Sequence, residues 1–257
     1  MRVSIFSAVI ALTFVGSTAL KASVVGNPSQ QSASEPEIAT ADTKALSKTD
    51  QRIIRSRIDQ ILERDQQFRS YLSFGTTDDA EIERLNQLDT KAMLVEMASK
   101  KRQLSPEVQS LLQQLQLKND KQNYADFYDI VREHGYPSPK RIGVKHDRLF
   151  VLLLHPPCPA EEIEDHIDHM SKLLLPEVQS GRMKGKMFAT FVDNMRGKIL
   201  RQPQLYGTNQ QFDRKTGTIL PPVIVDLDKT NIAREELGMP ALKPGEYRLA
   251  ESKTATQ

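Results

Sequence analysis

The sequence has no tryptophan and a single cysteine, Cys158. One thiol cannot close an intramolecular disulfide, so the fold must be held by its core or by a partner. Aromatic residues make up only 6% of the chain, which leaves Leu, Ile, Val and Met to fill the interior. Beyond residue 22 no apolar run approaches the ~20 residues of a membrane span. There is no sustained block of Lys or Arg. The charges within residues 1–22 are Arg2 and Lys21, and without them basic and acidic residues balance at 33 each. That balance argues against a dedicated nucleic-acid binder. No nucleophile elbow, glycine-rich phosphate loop, paired-cysteine zinc spacing or internal repeat is present.

What the chain does have begins with a basic start, Met1-Arg2, and an uncharged apolar run from Val3 to Leu20. Small residues follow, and cleavage after Ala19 or Ala22 fits them. This is the layout of a secretory signal peptide over 1–22, which implies export to a bacterial periplasm or to the medium. No Cys follows the run, so a lipid anchor is not expected. Residues 23–46 are rich in Ser, Ala and Gln, without apolar periodicity, and read as a disordered leader. Residues 47–250 read as one mostly α, bundle-like domain with a C-terminal β-hairpin. Helices over 47–118 precede a core over 119–250, which includes the hairpin region 204–226. Residues 251–257 read as a tail.

Within the domain, Ile54, Ile58, Ile61, Leu62, Phe68 and Leu72 recur at helical spacing and predict one long helix, capped by Ser47 or Thr49 and ended by Gly75. Asp65 falls on its apolar side, with Arg69 as a local partner four residues on. Thr77 to Met97 predicts a second helix, closed by Lys100-Lys101-Arg102. Ser105-Pro106 opens a third, with Leu111, Leu112 and Leu115. A separate helix is expected over 120–134, stopped by Gly135 and Pro137. The apolar run 149–154 reads as the end of a core helix, and further helices are expected over 160–175, 186–200 and 231–237. Leu205–Phe212 and Thr218–Val225 read as a hairpin, with Pro221-Pro222 confining the second strand to an edge.

Several polar residues stand out against this frame. His155 ends the most apolar run of the mature chain, where an imidazole needs hydrogen bonds. Asp193 sits in an otherwise buried helix face. Strand alternation would place Tyr206, Thr208 and Gln210 on one face of the hairpin and Gly207 and Asn209 on the other. His155, Asp193 and Tyr206 are therefore the candidate catalytic residues. Gln204, Thr208, Asn209 and Asn194 are the candidate ligand-binding residues. His166 and His169 with Glu162 have a spacing that could suggest a metal, but His169 points toward solvent beside Asp165 and Asp168, and neither metal nor cofactor is expected. Cys158 lies three residues from His155 with nothing to mark it as a nucleophile.

The motifs DQQFR at 65–69, Asp120 with Asn123, EHGYP at 133–137, Ile142-Gly143, His155 after its apolar run, Phe-Val-Asp at 191–193, QLYGT at 204–208 and AREELGMPAL at 233–242 occur in a recognisable order. In this order the chain resembles an uncharacterised family of bacterial domains of unknown function, over about residues 59–250. The resemblance implies a compact helical domain with a hairpin and no stated activity. It places Asp65, Arg69, Asp120, Asn123, His155, Asp193, Tyr206 and Thr208 in one polar set, with Asp65, Arg69, Asp120 and Asn123 supporting the candidate site. The sequence departs from the family pattern in having Leu154 where the family has Gln, Pro156-Pro157 for Ala-Asp, Asn194 for Arg and Asn209 for Gln.

Two functions follow from these readings. The first is an exported, non-catalytic binding or interaction protein with a polar cluster where the helices meet the hairpin. Its partner would be a protein or a small polar ligand, and the missing Arg and acid favour this reading. The second is a hydrolase-like or ligand-binding enzyme in which Asp193 orients His155 while Tyr206 and Thr208 bind a polar group.

Overall fold

The structure, a computed structural model, describes residues 45–251 apart from 75–77, 89–91, 94, 97–104, 214, 215 and 217. The expected signal over 1–22, most of the leader, the Gly75 and Lys100–Arg102 helix ends and the tail beyond 251 lie outside the described residues. The described chain is mostly helical, with a few short strands near its C-terminus. No helix among the described residues is long and apolar enough to cross a membrane.

Helix α1 (Lys48–Gln66) starts on a capping box, in which Ser47 and Asp50 each satisfy the other's backbone N–H. It buries Ile54, Ile58, Ile61 and Leu62, as the periodicity predicts. Where a single helix was expected, the chain breaks at Gln67 and restarts as α2 (Arg69–Phe74). Helix α3 (Asp79–Asn86) begins at an Asp78 cap. The two helices expected over 105–134 are one continuous 29-residue helix, α4 (Pro106–His134), capped by Ser105 and ended by Gly135 at φ +71°. Nothing between Leu115 and Asp120 breaks it, because that stretch contains neither Gly nor Pro. The short α5 (Pro139–Ile142) leads to the apolar run Leu149–Leu154, which forms a 3-10 helix rather than the end of an α-helix. It buries Leu149, Leu152 and Leu153, and Pro156 and Pro157 stop it.

Helices α6 (Ile163–Gln179) and α7 (Gly185–Asn194) follow, and α7 runs into a π-helical turn over Met195–Ile199. One buried cluster joins α1, α4, the 3-10 run, α6 and α7, with Phe127, Ile130, Leu153, Ile163, Leu174, Phe191 and Met195 fully enclosed. Packing of such a face, more than helix propensity, holds helices of this length in place.

The C-terminal region is less regular than the predicted hairpin. Strands β1 (Gln211–Asp213) and β2 (Thr218–Leu220) pair antiparallel. Pro221 and Pro222 end β2, and β3 (Val223–Ile224) pairs in parallel with β4 (Arg248–Leu249) instead of continuing the hairpin. Gln204 bridges to Ile224 on the other side. Between β3 and β4 lies α8 (Leu227–Glu236), which starts at an Asp226 cap, four residues before the helix read from the sequence. Residues 205–208 form a turn rather than a strand, with Gly207 at φ +64°. The predicted alternation of Tyr206, Thr208 and Gln210 therefore does not apply.

Candidate functional site

The polar residues named from the sequence fall into two separate networks. The first is built on one face of α4. Gln116, Asp120 and Asn123 lie at i, i+4 and i+7, so all three point the same way. All three are buried and face the C-terminal end of α1. Phe127, Ile130 and Val131 continue the same stripe into the core.

Asp65, 0% exposed, lies opposite this face. Arg69 Nε donates to Asp65 Oδ1 at 3.1 Å, and its Nη2 donates to Asp120 Oδ1 at 2.5 Å. Gln66 Nε2 donates to Asp65 Oδ2 at 2.6 Å. Asp65 and Arg69 pair at i, i+4 although the helix breaks between them. Gln116 Nε2 donates to Asp120 Oδ1 at 2.8 Å and to the Asp65 carbonyl at 3.2 Å. At the far end of the face, Arg64 Nε donates to Asn123 Oδ1 at 2.8 Å.

His155 completes this network. Its Nδ1 lies 3.0 Å from Asp65 Oδ1, and its side chain keeps 18% exposure. Burial works against the Asp65 charge, yet His155 and Arg69 together hold its carboxyl down at about 2. An ionised Asp65 is acceptor-only, so Nδ1 carries the hydrogen and donates to it. Nε2 has no protein partner among the described residues. Burial raises the carboxyl of Asp120 above its ordinary value, against the pull of Arg69 and Gln116.

The partner expected for His155 was Asp193, and the structure corrects this. Asp193 is 0% exposed and all its acceptor capacity is spent elsewhere. Oδ1 accepts the backbone N–H groups of Leu205 and Tyr206, both at 2.9 Å. Oδ2 accepts the N–H and the hydroxyl of Thr208, both at 2.8 Å. Burial pushes its carboxyl upward while these donors pull it down. Asp193 is the keystone of the 205–208 turn, and Thr208 is spent in that turn too.

The rest of the second network locks the same turn. Gln204 Nε2 donates to the Asn209 carbonyl at 2.6 Å, and its Oε1 accepts the Asn209 N–H at 2.9 Å. Asn209 Nδ2 donates to the Thr190 carbonyl at 3.3 Å. Arg234 Nη1 donates to the Tyr206 carbonyl at 2.7 Å. The Tyr206 ring packs on Phe188, and burial, then the Asp193 charge, pushes its hydroxyl up to about 12. Asn194, next to Asp193, donates to the Leu154 carbonyl at 3.2 Å, tying α7 to the residue before His155.

Of the other sequence candidates, His166 is packed among core rings while His169 lies exposed. His166 sits edge-on to Tyr124 and Phe191, and burial, then His169, brings its pKa down to about 4. His169 stacks on Tyr128. Among the described residues no three His, Cys, Asp or Glu are grouped to hold a metal ion. Burial, with Glu162 second, pushes the Cys158 thiol up to about 11, away from the thiolate a nucleophile needs.

Sequence reasoning missed Gln116 and the Asp65–His155 pair. Gln116 carried a usable signal, its i, i+4 spacing to Asp120 on the Asn123 face. The pair carried no local signal, because its members are 90 residues apart. Compared with protein-family models, with curated proteins and with solved structures, the chain has no match.

Proposed function

We propose that this protein is an exported binding protein whose ligand site is the corner formed by Asp65, Arg69, Asp120 and His155, with the His155 ring as the group that meets the ligand. One observation carries the reading. Asp65, fully buried, holds Nδ1 at 3.0 Å while the ring keeps 18% exposure and Nε2 has no protein partner among the described residues. A buried imidazole needs at least one hydrogen-bond partner; Asp65 supplies it at Nδ1, which leaves Nε2 over for a ligand. The resemblance noted above supports the same corner, since Asp65, Arg69, Asp120, Asn123 and His155 are five of its eight polar residues.

The test is thermal unfolding against a panel of small amides, amines, carboxylates and sugars, comparing wild type with His155→Asn. Asn supplies an N–H where Nδ1 stood, so the bond to Asp65 survives, and it removes the outer nitrogen. At least one compound class should raise the wild-type midpoint and leave His155→Asn unmoved. A panel that never separates the two proteins would overturn the reading.

Proton transfer at the same corner is the second reading, favoured by the tautomer that Asp65 imposes. A carboxylate on Nδ1 leaves Nε2 as a base in the geometry of a general acid–base pair. Hydrolysis of activated esters would then fall by 10²–10⁴-fold in His155→Asn, and equal rates in the two proteins would exclude it.

A further inference from the structure

We infer that the corner selects a cationic ligand of the primary-ammonium class. The inference rests on the binding reading above and names its ligand chemistry.

Charge is the first ground. Asp65 and Asp120 are both buried, and Arg69 stands between them with one nitrogen on each carboxylate. One guanidinium is thus shared by two acids. The two carboxylates and the one guanidinium sum formally to one negative charge in a place that water reaches poorly. Buried charge left uncompensated is costly, and a ligand of opposite sign relieves it.

Hydrogen-bond capacity is the second ground. Gln116 is 4% exposed, and its Oε1 is buried without a partner. The amide cannot be turned to fill it, because Nε2 already donates to the Asp65 carbonyl and to Asp120 Oδ1. Turning it would set an oxygen against two acceptors. Asp120 Oδ2 and His155 Nε2 likewise have no protein partner among the described residues. The two oxygens are acceptors, as is Nε2 of a neutral imidazole. An ammonium group has three N–H donors and no acceptor, which complements such a set. One buried, unpartnered donor also belongs to the network, Asn123 Nδ2, further along α4. A ligand that adds a hydroxyl to its ammonium group, as an amino alcohol does, serves both kinds.

A divalent metal fits less well. Among the described residues no three carboxylate, imidazole or thiol side chains are grouped for one, and hard divalent ions take six or more oxygen ligands.

Three probes of one skeleton separate the charges: ethanolamine, ethylene glycol and glycolate. Each is titrated into the full-length mature protein while the imidazole nitrogens are followed by long-range ¹H–¹⁵N spectra, with His155 assigned by its loss in His155→Asn. The expected result is a saturable shift of His155 Nε2 with ethanolamine, at a concentration at least tenfold lower than with glycol, and none with glycolate. Asp120→Asn keeps the shape and removes the charge, and it should abolish the preference for ethanolamine over glycol. If that variant does not fold, the wild-type comparison decides alone. Glycolate or Mg²⁺ saturating the Nε2 signal below the ethanolamine concentration would overturn the ammonium class and leave the binding reading standing. Silence of His155 toward all three probes would overturn both.

Discussion

At the scale of single residues, a histidine packed among core rings makes the fold sensitive to mild acid. His166 has a folded pKa of about 4, brought down from 6.5 by burial and then by His169. Between those values the unfolded chain binds the proton and the folded chain does not. Stability therefore falls as pH drops from about 6.5 to about 4, by roughly 2–3 kcal/mol. Asp65 acts in a lower window. Its folded pKa of about 2 lies below the ordinary 3.8, so its contribution is whole above about pH 4 and is lost as pH falls toward 2. Urea unfolding at a series of pH values should show two limbs, and His166→Phe should remove the upper one while leaving the lower. A single limb below pH 4 in wild type would refute this assignment.

At the scale of elements, the 205–208 turn depends on backbone geometry that only glycine enters freely. Gly207 has φ +64°, and a Cβ there would lie 2.9 Å from Leu242 Cδ1 and 3.3 Å from Ile224 Cγ2. Gly207→Ala should cost about 1–3 kcal/mol in urea unfolding, whereas Gly238→Ala, also at positive φ but with open space around it, should cost less. The same region shows what a sequence can reveal. Helices were legible where burial imposed a period, as in Ile54, Ile58 and Ile61, and where punctuation was strong, as at Ser105-Pro106 and His134-Gly135. The break at Gln67 was not legible, because no Gly or Pro marks it. Nor was the parallel pairing of β3 with β4, which depends on a strand 25 residues downstream. Of the candidate site, Asp120 and Asn123 entered only through the family resemblance, and Gln116 was missed. Asp65, His155 and Asp193 could be picked out by their positions on apolar faces or runs. The partners could not. His155 finds Asp65 and Asp193 finds the 205–208 turn only after the helices have packed, and no local pattern encodes that exchange.

For the whole molecule, the two networks share one packed body and tie different elements together. The α4 face ties α1 and α2 to the stretch after the 3-10 run, and the Asp193 turn ties α7 to the C-terminal strands. Asn194 joins the two regions through the Leu154 carbonyl. Asp65→Ala would leave Arg69 and His155 without their shared acceptor, and a loss of 3–5 kcal/mol is expected for breaking such a buried pair. The export reading is checked separately. Protein recovered from the periplasm or the medium should begin at Leu20 or Ser23 on N-terminal sequencing, and a mature chain that still begins at Met1 would refute cleavage.

The turn at 205–208 can also be seen as a receptor. Three backbone N–H groups and one hydroxyl converge on a carboxylate, and the chain supplies that carboxylate itself from Asp193. The tether gives it an effective concentration that a free ion reaches only at high millimolar levels. Shortening the side chain, as in Asp193→Ala, would empty the receptor without altering its walls. Acetate or formate added to that variant should then recover part of the lost stability, while chloride at equal ionic strength should not. The feature that closes the fold would become, by one substitution, a chemically rescuable anion cup.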